Sequence, residues 1–170
     1  MDTWDRYFLT ICLSVSTKSP CLSRKIGALL VRDHSIVSTG YNGPARGIPH
    51  CGRERVEKDP ILADMLKQFS AKEINETCPR RLLGFKSSEG LEWCGAKHAE
   101  ENAVVNAARV GASTIGCTCY LNTVIPCQAC FGTLINAGVV EIVVVNCTVY
   151  DKHTQFLVNN SNIKIREFKV

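Results

Sequence analysis

Two short stretches hold residues able to bind a metal and move a proton: His98-Ala99-Glu100 and Pro126-Cys127-Gln128-Ala129-Cys130, the first cysteine 29 residues after the histidine. Cysteines at i and i+3 in a first helical turn fall on nearly one face, and the positive end of the helix favours their thiolates, the form that binds metal. With His98 as a third ligand, zinc keeps its fourth tetrahedral position for water, the arrangement of a catalytic and not of a closed structural site. The pKa of such a water falls from ~15.7 toward ~7, which makes a nucleophile at neutral pH. Glu100, two residues from His98, is the candidate proton carrier. Positions two apart on a regular helix point to nearly opposite faces, so His98 must sit at an irregular helix entry if the two are to converge. Taken alone, C-x-x-C also fits a redox pair or half a structural zinc site, the histidine a core residue and Glu100 a solvated first-turn acid. Their joint occurrence in this order points to catalysis.

These residues need helices that start where the motifs lie. Trp4, Phe8, Ile11, Cys12 and Val15 recur at helical spacing and predict a first helix that ends before Ser19-Pro20. Residues 26–31 and 35–39 are short apolar runs around Arg32-Asp33-His34 and read as a β-hairpin leading to the turn Gly40-Tyr41-Asn42-Gly43-Pro44. Between Cys51 and Cys94 the pattern is irregular, with a charged helical piece at 59–74 and a Gly-bearing loop at 77–95. The second half alternates: helix 97–110, strand 117–122, a helix from Cys127 closing at Gly138, strand 140–146, helix 151–159 and strand 163–168. Pro126 suits the start of its helix, where a missing N–H costs little. The alternation predicts an α/β fold with partly parallel strands, and the early hairpin makes the sheet mixed.

The chain has 170 residues, 45% of them hydrophobic and 21% charged, which predicts one domain with an ordinary core and an inserted irregular loop at about 51–95. No apolar run reaches the ~18 residues of a membrane span. Asp2 and Asp5 stand where a secretory signal would carry basic residues, and with the cysteine usage this leads us to expect a cytoplasmic protein. A formal charge of +4 with scattered basic residues is too weak for a polynucleotide-binding face. A small anionic ligand fits it. Ten cysteines in a reduced chain of this size raise metal and catalytic roles above disulfides.

The sequence resembles the zinc-dependent nucleoside and nucleotide deaminases, which share the H-x-E and P-C-x-x-C signature. Within them it is similar over nearly its whole length to the deoxycytidylate (dCMP) deaminases, phage types included. The likeness runs through Cys21-Leu22-Ser23-Arg24-Lys25-Ile26-Gly27-Ala28, Thr39-Gly40-Tyr41-Asn42-Gly43, Gly47-Ile48-Pro49-His50-Cys51 and His98-Ala99-Glu100-Glu101-Asn102-Ala103. It implies a cytidine deaminase-like, three-layer α/β/α sandwich with a mixed five-stranded sheet, and the hydrolysis of dCMP to dUMP and ammonia, a step feeding thymidylate synthesis. Zinc on His98, Cys127 and Cys130 then activates water for attack on cytosine C4, while Glu100 moves protons to N3 and to the leaving ammonia.

The resemblance also implies that Asn42 contacts the deoxyribose or phosphate and that Tyr150 covers the base, with Arg24 and Lys25 as phosphate partners. Asn42-Gly43 is also an ordinary turn dipeptide, and Tyr150 an ordinary sheet-edge aromatic. Gly40 and Gly43 are expected to serve the turn and the close approach of the nucleotide. A homohexamer is implied, activated by dCTP with Mg2+ and inhibited by dTTP, with Gly43 and Arg109 near the regulatory or subunit contacts. A cation favoured at a helix C-terminus is the other reading of Arg109. Similar proteins hold a second, structural zinc on cysteines matching Cys21 and Cys51; here Cys78 and Cys94 complete a thiolate set, the other reading being free thiols. Ile125 stands where many relatives carry Ser. Two further function classes remain: a silent zinc-binding regulatory protein, which would not need Glu100, and a deaminase of another or a modified cytosine nucleotide.

Overall fold

The computed structural model describes residues 3–149 and 151–169. They divide into two compact units. The first takes in the chain up to Ser19, Ile26–Asn42 and everything from His98 on; the second takes in Pro20–Lys25 and Gly43–Lys97.

The first unit is built on a five-stranded sheet in the order β2-β1-β5-β6-β7. Its strands are β1 (Gly27–Arg32), β2 (Ser35–Tyr41), β5 (Thr118–Leu121), β6 (Glu141–Val144) and β7 (Lys164–Glu167). β1 pairs antiparallel with β2 and with β5, whereas β5, β6 and β7 run parallel, so the sheet is mixed as expected. The hairpin turns at Asp33 and His34, both at positive φ (49° and 58°), the conformation a two-residue loop needs to match the twist of its strands.

Side chains alternate across this sheet. Leu29, Val31, Tyr120 and Val143 pack on Phe8 and Cys12 of α1 (Trp4–Ser16), which Thr3 caps by accepting from the Arg6 N–H. Ala28, Leu30, Cys119, Leu121, Ile142 and Val144 meet Ala99 and Ala103 of α6 (Ala99–Arg109) and Phe131 and Leu134 of α7 (Gln128–Asn136). Leu157 and Val158 of α8 (Lys152–Asn160) pack against the same cluster. The expected three layers are therefore present. α7 ends as read from the sequence: Gly138 takes φ 76°, its N–H bonds to Ile135 O and that of Val139 to Leu134 O, so the last carbonyls are satisfied.

The second unit is where sequence periodicity misled. The helix expected over 59–74 is two helices, α3 (Pro60–Leu66) and α4 (Ala71–Glu76). Asp59 caps the first, and a reciprocal Ser70–Glu73 capping box restarts the chain as the second. Two more short helices were missed, α2 (Arg53–Lys58) and α5 (Pro79–Leu82), the latter inside the expected loop 77–95 together with a 3-10 turn at Leu91–Trp93. The two-residue strands β3 (Gly43–Pro44) and β4 (Ala96–Lys97) pair antiparallel. Pieces this short hold too few residues to show a period.

Among the described residues no helix is long and apolar enough to cross a membrane.

Candidate metal and proton-transfer site

The site lies in the first unit, where α6 and α7 begin. Parallel β5 and β6 are joined through α7, and this crossover brings the start of α7 to the C-terminal end of β5, the usual location for ligands in α/β sheets. The loop between them is held in line by the bond from Val145 N to Thr123 O and by a parallel bridge between Val124 and Asn146.

Cys127 is the N-cap of α7, with extended φ/ψ of −63° and 163°, and Cys130 lies in its first turn. Pro126 therefore precedes the cap and is not the first helical residue, because Cys127 leaves the helical region. Three positions on, Cys130 is buried and turned inward while Gln128 and Ala129 between them are exposed. Phe131 anchors the turn: its N–H bonds to Cys127 O at 2.9 Å and its ring is fully buried.

His98 is the N-cap of α6, with φ −80° and ψ 156°. That extended backbone is the irregular entry the pairing of His98 with Glu100 requires, since a residue outside the helix is not bound by its 100° step. His98 Nδ1 stands 3.4 Å from Cys127 Sγ and 3.3 Å from Cys130 Sγ, and the three donor atoms lie within 4.8 Å of one another. Zinc with bonds of ~2.3 Å to sulfur and ~2.0 Å to nitrogen sets tetrahedral ligands roughly 3.5 Å apart, so two thiols and one imidazole at this spacing fit the ion. Among the described residues no other group of three His, Cys, Asp or Glu does so.

The electrostatics match that arrangement. The hydrogen bond with Cys130 lowers the Cys127 thiol against the opposing effect of burial, and the His98 ring lowers it further; Cys130 is correspondingly pushed up by Cys127 and by burial. One sulfur thus holds its charge at the positive end of α7 while the other keeps a proton that a cation can displace. Glu100, 5% exposed, has its carboxyl held above the ordinary range by burial, close enough to His98 and Cys127 to feel their charge. A carboxyl whose proton affinity is raised by burial suits proton transfer.

The remaining expected residues fall as follows. Asn42 is buried in the first unit; its Oδ1 accepts from the Ile26 N–H at 2.8 Å and its carbonyl from the Ser19 hydroxyl at 2.7 Å. Arg24 and Lys25 belong to the second unit, where Arg24 donates to Ser87 Oγ at 2.7 Å. Gly43 is buried opposite Lys97 in the β3–β4 pair. Arg109 is exposed in the last turn of α6, about 14 Å along the helix axis from Glu100. Tyr150 lies outside the described residues. Gly40 makes room for a helix: a Cβ there would stand 2.2 Å from Ala99 O and 2.4 Å from Ala103 N.

Cys21, Cys51, Cys78 and Cys94 all line one cavity of about 380 Å³ in the second unit, with Trp93 and Arg55. Burial pushes the Cys51 thiol up, and the other three thiols add to it. They share a wall without reaching ligand spacing. Asn102, which the sequence places in the family-like stretch without a role, donates its side-chain amide to Tyr41 O at 2.8 Å. The signal available was an Asn pair at i and i+4 just after the motif, at 102 and 106.

Residues 2–146 match the family model described as the cytidine and deoxycytidylate deaminase zinc-binding region. The deoxycytidylate deaminase of Mycobacterium phage D29 is 33% identical over 145 residues, 82% of this chain and 92% of that protein. That of Saccharomyces cerevisiae is 29% identical over 168 residues, 98% of this chain but 45% of that protein, so the chain spans less than half of that relative's length. Among solved structures, the dCMP deaminase of cyanophage S-TIM5 in complex with dCMP and dUMP has a TM-score of 0.63 at 21% identity, over 95% of this chain and 94% of that one. This last likeness is one of fold.

Proposed function

The chain belongs to the cytidine and deoxycytidylate deaminase zinc-binding family, and from that premise we propose that it hydrolyses deoxycytidylate to dUMP and ammonia. The observation that carries the reading is a buried Glu100 beside a His98–Cys127–Cys130 trio at zinc spacing.

His98 Nδ1 and the sulfurs of Cys127 and Cys130 would hold the ion. Zinc, when bound, supplies the Lewis acidity that lets water act as a nucleophile at neutral pH. Glu100 takes a proton from the attacking water and gives it to N3 of the ring, then takes the second from the hydroxyl now on C4 and gives it to the departing amino group. Its burial raises the proton affinity of the carboxyl, which favours its taking up a proton. Asn42, with backbone and Oδ1 both held, offers the nucleotide a fixed edge. Arg24 and Lys25 serve the phosphate and Tyr150 covers the base.

We extend the reading to the whole chain. Residues 51–95 form an insertion in one deaminase domain, since the first unit is left after Asn42 and rejoined at His98. Cys21, Cys51, Cys78 and Cys94, which line one cavity short of ligand spacing, would draw together on a structural zinc. The protein works as a homohexamer in the cytoplasm, where its ten cysteines, none in a disulfide, stay reduced, activated by dCTP with Mg2+ and inhibited by dTTP, with Gly43 and Arg109 at those contacts.

The test is parallel incubation with dCMP, deoxycytidine, CMP and dCTP, following loss of cytosine absorbance, with metal analysis of the same sample. Turnover confined to dCMP and two zinc ions per chain are expected. A zinc-loaded protein inert toward all four, with dCTP and Mg2+ added, would overturn the reading.

A further inference from the structure

We propose that Asn102 is a positioning residue: it ties the first turn of α6, which carries His98 and Glu100, to the end of β2 beside Asn42, and so holds the proton carrier in register with the nucleotide. The proposal rests on the functional reading above and adds to it a residue outside the metal and proton-transfer motifs.

Asn102 does two things at once. Its backbone N–H bonds to His98 O at 3.0 Å, closing the first turn of α6, and its side-chain amide donates to Tyr41 O at 2.8 Å. Tyr41 precedes Asn42, which is itself locked by the Ile26 N–H on its Oδ1, by its own N–H to Ile26 O at 3.2 Å and by the Ser19 hydroxyl on its carbonyl. One half-buried side chain thus joins the turn that bears the chemistry to a fixed point in the sheet.

The geometry leaves that turn little freedom. β2 is an outer strand of the sheet, and α6 supplies partners to its backbone: Asn106 donates to Thr39 O at 2.8 Å, as Asn102 does to Tyr41 O. Four residues of helix rise ~6.0 Å and two of strand ~6.6 Å, so an i, i+4 asparagine pair matches alternate strand carbonyls. Between them Gly40 lets the strand approach Ala99 and Ala103 more closely than any Cβ allows, and Ser38 Oγ donates to Ala103 O at 2.8 Å. Depth is set by Gly40 and pitch by the amides. Asn106 ties the middle of the helix, whereas Asn102 ties the turn that presents Glu100. Small misplacements of a reacting group cost far more in rate than in stability.

Three variants separate positioning from stapling: Asn102→Ala, Asn102→Asp, which keeps the shape but puts an acceptor against the carbonyl, and Asn106→Ala, which removes an equivalent bond one turn away. Expected are equal losses of melting temperature for the two alanine variants. kcat on dCMP falls about tenfold or more in both Asn102 variants with KM within about threefold, while Asn106→Ala stays within about twofold of wild type. Zinc loss to a chelator, read independently of turnover, is about fivefold faster in Asn102→Ala and unchanged in Asn106→Ala. Equal kcat losses at 102 and 106, or a wild-type kcat in Asn102→Ala, would reduce Asn102 to a fold contact. Should wild type prove inert toward dCMP, the functional reading fails alone, and the chelator comparison still decides: equal zinc-loss rates in the two alanine variants overturn the positioning role.

Discussion

The roles proposed for Glu100 and for the candidate ligands His98, Cys127 and Cys130 differ, and substitution separates them. Glu100→Gln keeps size and hydrogen-bonding capacity but cannot carry the proton, so kcat should fall roughly 10²- to 10⁴-fold with zinc content unchanged, measured by metal analysis beside turnover. Cys130→Ala removes a buried ligand whose thiol touches His98 Nδ1, and it should abolish both metal and turnover. An active Glu100→Gln protein would transfer the role elsewhere. At this scale the residue types were readable: H-x-E and P-C-x-x-C offer donors and a candidate proton carrier without any geometry, and the structure brings the three donors within 4.8 Å of one another. Asn102 was not readable, because an amide side chain on a helix has many uses and its partner, Tyr41 O, lies 61 residues away.

Elements turn those residues toward one another, and α6 is the sensitive one. Gly40→Ala would put a Cβ 2.2 Å from the Ala99 carbonyl, against backbone that cannot rotate away, so α6 must shift with His98 and Glu100 on its first turn. The expected result is a loss of about 1–3 kcal/mol in urea unfolding, accompanied by a fall in kcat larger than stability alone accounts for. An unchanged kcat in a destabilised protein would mean the turn is held by other contacts. The long elements of the first unit were legible from periodicity, for they bury one face over two or more turns or alternate across a sheet. The short helices between 53 and 82 were not, since caps such as the Ser70–Glu73 box, and not a repeating apolar face, decide where each begins.

At the scale of the whole molecule the chain ends are joined. Asp5 in α1 bonds Arg166 of β7 at 2.6 and 3.0 Å and accepts from the Lys169 N–H, while Arg166 also reaches Glu141 of β6. Burial raises the Asp5 carboxyl, and the Arg166 guanidinium with the Lys169 N–H more than offset it, so the folded value lies below the ordinary 3.8. A carboxyl depressed in the folded state stabilises it above the unfolded pKa and ceases to do so as pH falls through the folded one. Urea midpoints should therefore drop as pH falls below about 4. Asp5→Asn should cost about 3 kcal/mol near neutrality and flatten that acid slope; an unaltered slope would assign it to other groups. The candidate zinc site belongs to the same scale: removal of bound zinc by chelator should lower the melting temperature, because the candidate ligands come from the starts of two helices that binding would hold together.

The sequence by itself determined the architecture and offered the candidate chemistry: residue periods of two and near 3.6 specify strands and helices within a mixed α/β sheet, and donor types at short spacing point to a metal and a proton carrier. Both are local properties, carried by residues a few positions apart. Only the tertiary structure decided that His98 leaves the helix so that it and Glu100 can meet, that Gly40 makes room for a helix, that Asn102 ties that helix to Tyr41, and that four distant cysteines line one cavity. The last three of these join residues far apart in the chain, and such contacts follow from how elements pack, which no local pattern encodes.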